Sequence, residues 1–364
     1  MKNSKELELE SLQRVKAIEV EAPKTVSALL REMADTGFQG RKLAEVVDVL
    51  ERMIADPNVC ILLGYAGSLS TTGQWKIINW FIENHLVDVL VPTGANISED
   101  IVEAMGHSYY KGSHEVDDEA LLKTNINRYY DVFGKESDYM EMTEMIAEFY
   151  LTLEDGYPYS SRELLRLFGE WLLERGIRSI VAVCAEHDVP VFCPAIADSP
   201  YGDAALIAKS KGFTLVVDAI KDYVEFMGLG RVIKDTGVIY IGGGVPKDFI
   251  QLLAVTANLL YPDRKVPDRD ASVVREANTC GIVETYYPHK YAVQITTDSP
   301  QWGGLSGCTF EEAVSWGKID YEGNYVQCYC DATIALPVVS HALAERLKAP
   351  REPRRLARTF DPSG

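Results

Sequence analysis

The 364-residue sequence lacks several features that would assign a protein class directly. Its apolar runs all fall short of the roughly 18 to 20 residues that a membrane span requires. The N-terminal segment MKNSKELELESLQRVKAIEV is charged from its start and has no apolar core of the kind found in secretory signal peptides. The seven cysteines form no CxxC pair and no metal-ligand spacing. These absences predict a cytoplasmic protein without a membrane anchor or a metal site.

Positive charge is also scarce, because 36 Lys and Arg residues stand against 54 Asp and Glu residues, for a formal net charge of −18. A field of this sign repels nucleic acid and anionic membranes, and it steers cationic ligands toward acidic clefts. An acidic composition also arises from selection for solubility alone. The composition therefore predicts no nucleic-acid partner and is compatible with a polyamine-like ligand.

The sequence does contain a regular alternation of apolar runs and amphipathic stretches. Near-continuous apolar strands separated by helices are typical of a parallel sheet covered on both faces. The predicted strands are NVCILLGYAG, LVDVLVPTGA, VPVFCPAIAD, FTLVVDAI, GVIYIGGG, YAVQITTDS and YVQCYCDATIA, and the predicted helices include Gly73–His85, Arg162–Arg175, Ala204–Lys211 and Lys221–Asp235. We expect an α/β fold with a single doubly wound, mostly parallel, Rossmann-like sheet.

The domain organisation follows from the same pattern. Residues 1–33 are predicted to form a helical N-terminal extension, residues 34–348 one doubly wound domain, and residues 349–364 a polar C-terminal tail. In open α/β sheets the ligand binds beyond the carboxyl ends of the strands. Small or polar residues follow four of the predicted strands, and we therefore expect one edge of the sheet to hold Gly67, Thr93, Asp198 and Gly243.

Two glycine-containing turns are candidates for binding a cofactor. In IYIGGGVPKDFI and GYAGSLSTTGQW a buried strand leads through glycine into a helix, whose first N–H groups suit a phosphate. Neither segment is a GxGxxG fingerprint or a P-loop. Tight strand-to-helix turns and helix caps explain the same residues without a ligand, and both interpretations stay open.

Four carboxylates are predicted to lie at the same edge. They are Asp198 and Asp203 in AIADSPYGDAAL, Glu99 in TGANISED and Asp331 in YCDATIA. Each taken alone is typical of a helix cap. Together they would bind an extended polycation through charge-assisted hydrogen bonds.

The lysine of EEAVSWGKID has two interpretations. Lys318 is either a solvated surface charge or an amine desolvated by Trp316 and the apolar residues before it. Desolvation lowers the pKa of a lysine and makes a neutral amine available for imine formation.

The segment EEAVSWGKI resembles the active-site lysine segment of deoxyhypusine synthase. The resemblance continues, over roughly residues 34–345, through TGFQGRKLAEVV, ILLGYAGSLSTTG, VDVLVPTGA, VPVFCPAIADSPYGD, GVIYIGGGVPK and YCDATIALP. It implies a transferase that uses NAD to oxidise spermidine, holds the aminobutyl group as an imine on the lysine, and passes it to an acceptor amine. It also implies a homotetramer with active sites at a dimer interface.

The resemblance assigns roles to individual residues. Lys318 would form the imine, and Trp316 would pack against the aminobutyl chain. The polyamine nitrogens would be held by Asp198, Asp203 and Glu312. The residues implied for the NAD site are Thr71, Thr93, Gly94, Glu99, Gly243, Gly244, Asp331 and Ala332.

The sequence departs from the family pattern at several places, which include Ser68 where the family has an asparagine. The family has a proton-transferring histidine after GGGVPK, where this chain has Asp248, and His289 in the inserted segment of roughly residues 261–289 is the other candidate base. Trp302 and Leu305 of WGGLSG stand where the family has acids. The acceptor is therefore either a protein lysine or a small diamine, as in a homospermidine synthase. A non-catalytic homologue that binds NAD and polyamine is a further alternative.

Overall fold

The computed structural model describes residue 9 and residues 12–261, 273–275 and 284–360. Within these residues the strands are β1 Val59–Tyr65, β2 Val89–Pro92, β3 Tyr110–Lys111, β4 Ile126–Tyr129, β5 Val132–Lys135, β6 Pro158–Tyr159, β7 Val216–Val217, β8 Asp235–Ile241, β9 Val273–Arg275, β10 Glu284–Tyr286, β11 His289–Thr296 and β12 Ile319–Tyr329. The α-helices are α1 Val26–Met33, α2 Phe38–Ala55, α3 Trp75–Glu83, α4 Glu99–Ala104, α5 Asp118–Lys123, α6 Glu136–Tyr150, α7 Ser161–Glu174, α8 Ile180–Glu186, α9 Pro200–Ser210, α10 Ala219–Gly228, α11 Gly244–Leu260, α12 Phe310–Ser315 and α13 Ala332–Arg346.

The central sheet has five strands in the order β12-β11-β8-β1-β2. Each neighbouring pair is parallel, which confirms the predicted sheet. In β1 every residue is buried. Its side chains alternate between two cores, so that Ile61 and Leu63 face one and Cys60 and Leu62 the other. Helices such as α2, α3 and α7 cover the first face, and α10, α11 and α12 cover the second.

Two of the seven predicted strands do not join this sheet as predicted. In VPVFCPAIAD only Val191 forms a bridge, with Leu90 of β2. Pro190 and Pro194 flank this bridge, and proline has no N–H to extend a ladder. In FTLVVDAI only β7 is a strand, and it pairs with β6 away from the central sheet. It ends after two residues because Asp218 caps α10.

The predicted helices are present, with shifted ends. The segments Gly73–His85, Arg162–Arg175 and Ala204–Lys211 correspond to α3, α7 and α9. The predicted helix Lys221–Asp235 is too long, since α10 ends at Gly228 and β8 already begins at Asp235. Glycines 228 and 230 have poor helix propensity, and the chain forms a single 3₁₀ turn there.

The described segments nearest to the two ends of the chain pack on the body of the protein, as the bonds from Ser27 to Glu345 and from Arg351 to Asp88 show. In the extension predicted as helical, the described residues 12–24 are not helical, and α1 begins after Pro23 with Thr25 as its cap. At the other end, the Arg351 guanidinium donates to the buried Asp88 carboxylate at 2.8 Å. The Phe360 ring lies 5.9 Å from that of Phe192. The described part of the polar tail is therefore docked, while the boundaries at residues 33 and 348 stay predictions.

A helix that spans a membrane has to be both long and apolar. None of the described helices combines the two properties needed to cross a bilayer.

Candidate active site

The carboxyl ends of the strands meet as predicted. Gly67 follows β1, Thr93 follows β2 and Gly243 follows β8, while Asp198 follows the Val191 bridge beside β2. The Thr93 N–H donates to the Tyr65 carbonyl at 3.1 Å. Since neighbouring parallel strands end together, the turns that follow them lie side by side.

A cavity of about 870 Å³ opens at this edge. A volume of this size is within the range of ligand and cofactor sites. Its walls come from the turn after β1, the ends of β8 and β11, the start of α13 and the β4–β5 hairpin. The lining residues are Ala66, Gly67, Ser68, Leu69, Thr71, Thr72, Gln74, Tyr129, Tyr130, Asp131, Val132, Ile241, Gly242, Ile295, Thr296, Thr297, Asp298, Asp331, Ala332 and Thr333.

Asn96 fixes the shape of the turn after β1. Its side-chain carbonyl accepts the Leu69 N–H at 3.0 Å, and its amide donates to the Gly67 carbonyl at 2.6 Å and to the Thr93 hydroxyl at 2.9 Å. Asn96 thereby ties the turn after β1 to the turn after β2. Sequence reasoning missed this residue, although an asparagine directly after PTGA is a recognisable turn signal.

Glu99 lies behind the cavity wall as a buried carboxyl group. The Ser68 hydroxyl, part of that wall, donates to Glu99 Oε2 at 3.0 Å. Burial raises the pKa of Glu99 to about 7, and the hydrogen bond from Ser68 opposes this rise only partly. Glu99 therefore changes charge near neutral pH, next to a residue that lines the cavity.

The residues predicted for a cofactor divide into three groups. Thr71, Asp331 and Ala332 line the cavity. Three others, Thr93, Gly94 and Glu99, do not line it. Thr93 is connected to the wall through Asn96 and Glu99 through Ser68, while the Gly94 carbonyl accepts the Ser98 hydroxyl.

Gly243 and Gly244 form the third group and are not among the residues that line the cavity. The Gly244 N–H donates to the Ser306 hydroxyl at 3.0 Å, and a Cβ on Gly243 would lie 2.5 Å from Ser306 Cα. The segment that contains Ser306 therefore covers the glycine turn and occupies the N–H that was expected to face a phosphate. Gly242, with a left-handed φ of 71°, faces the cavity instead.

The cavity's chemistry fits a dinucleotide. Hydroxyl groups of Ser68, Thr71 and Thr296 and the carboxylates of Asp298 and Asp331 suit ribose hydroxyls. Gly67 has a left-handed φ of 94°, and a Cβ built on it meets no atom within 4 Å, so the backbone there is open to a ligand. Lys and Arg do not occur among the lining residues in the described part of the chain.

Lys318 lies in a second cluster, at the start of β12. Its Nζ donates to Asp248 Oδ1 at 2.8 Å, and its side chain is 14% exposed. Asp248 projects from the beginning of α11. The left-handed Gly317, with a φ of 75°, turns the chain between α12 and β12 and so presents the lysine to Asp248. The surface-charge interpretation of Lys318 does not fit this environment.

Trp316 was expected to bury Lys318, and the structure corrects this expectation. The indole is 63% exposed, with its ring centroid 5.5 Å from Lys318 Nζ. The contact is a cation–π contact at the surface. Trp316 ends α12, where the chain turns, and this position holds its ring outside the core.

Lys247 is a buried neighbour of this cluster that sequence reasoning missed. It is fully buried, and its Nζ donates to Gln294 Oε1 at 3.0 Å and to the Cys308 carbonyl at 2.7 Å. Burial lowers its pKa to about 8. Gln294 in turn donates to the Gly242 carbonyl at 2.7 Å, which connects the cluster to the cavity wall. No local sequence signal predicts this burial, because Lys247 stands directly before Asp248 near the start of α11.

The chain is similar to known proteins over most of its length. The deoxyhypusine synthase family profile matches residues 28–343. The chain is 42% identical over 327 residues to "Probable deoxyhypusine synthase 2" of Methanosarcina mazei, covering 89% of this chain and 88% of that one. It is 44% identical over 311 residues to the protein of the same name from Archaeoglobus fulgidus, covering 85% and 95%.

The chain belongs to the deoxyhypusine synthase family. Members of this family are transferases, and the predicted enzyme class is thereby confirmed. A solved structure from Entamoeba histolytica, described as that of a deoxyhypusine synthase, superimposes with a TM-score of 0.60 at 16% identity. It covers 93% of this chain and 99% of that one, and at this identity it supports the fold alone.

Two further residues that the deoxyhypusine synthase resemblance singled out have different outcomes. Glu312, near the start of α12, acts electrostatically on Lys247 and lies near Cys308, so it belongs to the lysine cluster. His289 does not lie in a loop: it begins β11, is fully buried, and has its Nδ1 2.7 Å from the Thr236 hydroxyl. The structure thus brings Asp248, and not the His289 ring, to the Lys318 amine. Most of the inserted segment itself, residues 262–272 and 276–283, lies outside the described residues.

The acids implied for the polyamine lie far from this lysine within one chain. Asp198 precedes α9 and Asp203 lies in its first turn, and both are exposed. These residues follow the bridge beside β2, which is the outermost strand on one side of the sheet. Lys318 precedes β12, which is the outermost strand on the other side. The four strand spacings between β2 and β12 amount to about 19 Å. A single deoxyhypusine synthase-like chain therefore does not bring Lys318 together with Asp198 and Asp203.

Proposed function

We propose that the protein transfers a 4-aminobutyl group from spermidine, or from a related polyamine, through an imine on Lys318 to an acceptor amine. The observation that carries the proposal is the 2.8 Å pair of Lys318 Nζ and Asp248 Oδ1 in a mostly buried setting. A carboxylate within hydrogen-bond reach of the lysine can accept the proton that the amine has to lose when it attacks. The family membership supports aminobutyl transfer from spermidine in general.

The cavity would hold NAD. When bound, NAD supplies the acceptor for a hydride from the amine carbon and later returns that hydride. Ser68, Thr71, Asp331 and Ala332 would contact it directly, with Glu99 behind Ser68. The hydroxyl-rich wall and the open backbone at Gly67 support this assignment.

Asp248 would act as the base for Lys318. As the Lys318 nitrogen forms its bond to the oxidised carbon of spermidine, Asp248 accepts a proton from that nitrogen. The carbon–nitrogen bond to 1,3-diaminopropane then breaks, and the departing nitrogen regains a proton, leaving the aminobutyl group as an imine on Lys318. Attack by the acceptor amine releases Lys318 and forms a new imine, which is then reduced.

The polyamine site would be completed by a second copy of the chain. The separation of Asp198 and Asp203 from Lys318 supports a site shared between copies, in agreement with the homotetramer implied by the family resemblance. Glu312 on the lysine side and Asp203 on the other side would then hold opposite ends of one cation.

We favour a small diamine as the acceptor. Trp302 and Leu305 are 78% and 41% exposed and replace the acids expected there. Trp302 offers a cation–π face, which binds a small ammonium group but does not replace a carboxylate array. The alternative acceptor is a protein lysine.

The experiment that tests the proposal is incubation of the purified protein with NAD and spermidine, with and without putrescine, followed by mass spectrometry. We expect 1,3-diaminopropane in both cases and homospermidine when putrescine is present. If the protein binds NAD and spermidine without forming 1,3-diaminopropane, it is the non-catalytic homologue. Efficient labelling of a translation-factor lysine in a parallel reaction would overturn the preference for a diamine.

A further inference from the structure

The β4–β5 hairpin supplies the outer wall of the cavity through its two-residue tip. The tip consists of Tyr130 and Asp131, and both line the cavity. The hairpin belongs to a small antiparallel sheet, β3-β5-β4, that is separate from the central sheet. The hairpin is thus an addition to the α/β core, and the core does not require it.

Tyr130 is in an unfavourable backbone conformation for its residue type. Its φ is 56°, in the left-handed region that glycine and asparagine adopt much more readily. Burial of the ring does not offset this steric cost, because Tyr130 is 66% exposed. A strained residue that gains little from packing is a reason to consider a functional role.

Neighbouring residues hold the Tyr130 ring and its backbone in place. The His114 ring stacks on it with centroids 5.2 Å apart and an interplanar angle of 17°. The Arg128 guanidinium donates to the Tyr130 carbonyl at 3.0 Å and is itself paired with Asp118. His114 is not among the residues that line the cavity, whereas Tyr130 is.

The base of the hairpin is fixed as well. The Tyr129 ring packs edge-on against Tyr109 at 5.9 Å, and the Tyr109 hydroxyl donates to the Glu99 backbone carbonyl at 3.0 Å. The hairpin is therefore tied to α4, at the edge where the cavity opens. Tyr130 is in this way presented to the cavity mouth as a pre-positioned flat surface.

We propose that Tyr130 stacks on the adenine ring of the dinucleotide that the cavity binds; this inference rests on the proposed NAD site. Stacking on an aromatic side chain is a general way to bind a base. The exposed position at the mouth favours adenine over nicotinamide, since the reacting ring has to be shielded from water and adenine does not.

The test is calorimetric titration of NAD, of ADP-ribose and of nicotinamide mononucleotide into wild type, Tyr130→Gly and Tyr130→Phe. Glycine keeps the left-handed turn and removes the ring, so Tyr130→Gly is expected to weaken NAD and ADP-ribose binding roughly tenfold. Tyr130→Phe keeps the ring and is expected to bind within about twofold of wild type. Tyr321→Ala removes an exposed tyrosine of β12 as a control and should have no effect.

Thermal unfolding without ligand provides the second readout. Because glycine relieves the strain at position 130, Tyr130→Gly should unfold at the wild-type temperature or above it, which separates lost binding from lost folding. Equal binding of NAD and ADP-ribose by wild type and Tyr130→Gly overturns the role of Tyr130. A defect seen with nicotinamide mononucleotide but not with ADP-ribose overturns the assignment to adenine. If wild type binds no NAD, the proposed function itself fails, and the stacking role fails with it.

Discussion

The cavity and the lysine cluster are built in different ways. The cavity is formed mainly by turns that follow buried strands, with hydroxyls, glycines and the carboxylates of Asp131, Asp298 and Asp331. The lysine cluster instead depends on hydrogen bonds between side chains. Lys318 donates to Asp248, and Lys247 donates to Gln294. Side-chain substitutions should therefore damage chemistry more readily than cofactor binding, and substitutions in one region should leave the other intact.

The largest expected effect is that of Lys318→Arg. A guanidinium stays protonated and cannot form an imine, so aminobutyl transfer should fall by more than about 10³-fold. The affinity for NAD should not change, because the substitution is outside the cavity. Product formation by mass spectrometry and calorimetry with NAD measure the two quantities. Lys211→Arg, at an exposed position after α9, serves as the matched control. Full transfer by the Lys318 variant would make this residue a bystander.

Asp248→Asn ranks next. The amide preserves the shape of the side chain but cannot accept a proton, and general bases contribute roughly 10² to 10⁴ to a rate. We expect about 10²-fold slower transfer in single-turnover assays, with unchanged NAD binding. Glu311→Gln, on the exposed face of α12, is the control. If the Asp248 variant keeps the wild-type rate, another group takes the proton.

Asp203→Asn tests the acids on the β2 side of the sheet, which are predicted to bind the polyamine. Loss of one charge-assisted hydrogen bond should raise the KM for spermidine roughly tenfold and leave the dissociation constant of NAD unaltered. Steady-state kinetics with spermidine as the varied substrate measure this change. The control is Glu148→Gln, an exposed acid on α6. An unchanged KM would remove Asp203 from the polyamine site.

The sequence was sufficient to predict the regions set by regular structure. Near-continuous apolar strands predicted the parallel sheet, and parallel strands bring the residues that follow them together. The apolar pattern alone therefore predicts that Gly67, Thr93 and Gly243 share one edge of the sheet. The VPVFCPAIAD segment failed as a full strand because its prolines interrupt the ladder.

Contacts between distant segments were not predictable in the same way. Three of these contacts depend on how loops pack on the finished core. They are the contact of Ser306 with Gly243, the burial of Lys247 against Cys308, and the position of the Tyr130 hairpin. No local sequence pattern predicts how these loops run across the core. His289 shows the same limit, because an inserted segment suggested a loop residue and the structure has a buried strand residue.

Glu99→Gln is expected to have the smallest effect on activity and a measurable effect on stability. The pKa of Glu99 is raised from 4.5 to about 7 in the folded protein, so its ionisation destabilises the fold progressively as the pH rises between these values. The glutamine variant should match wild type near pH 4.5 and exceed its free energy of unfolding at pH 8 by up to about 3 kcal/mol, at 1.36 kcal/mol per pKa unit.

Denaturant unfolding at several pH values measures the difference between the two proteins. Asp100 is present in both proteins, and burial raises its pKa to about 7 with a further contribution from the Glu99 charge. The glutamine variant removes this repulsion as well, so the change at Asp100 adds to the gain expected at high pH. Glu144→Gln, an exposed acid on α6, should show no pH-dependent gain. A difference that stays constant with pH would mean that Glu99 is charged throughout this range.

The most direct test of the central claim is to trap the intermediate and to locate it. Borohydride is added during turnover with NAD and spermidine, and the digested protein is sequenced by mass spectrometry. Lys247 is the critical competitor, because its amine is buried in the same cluster and its pKa is lowered to about 8. The account predicts a reduced aminobutyl adduct on Lys318 and none in the Lys318→Arg variant. An adduct on Lys247, or product formation without any trapped lysine, would contradict it.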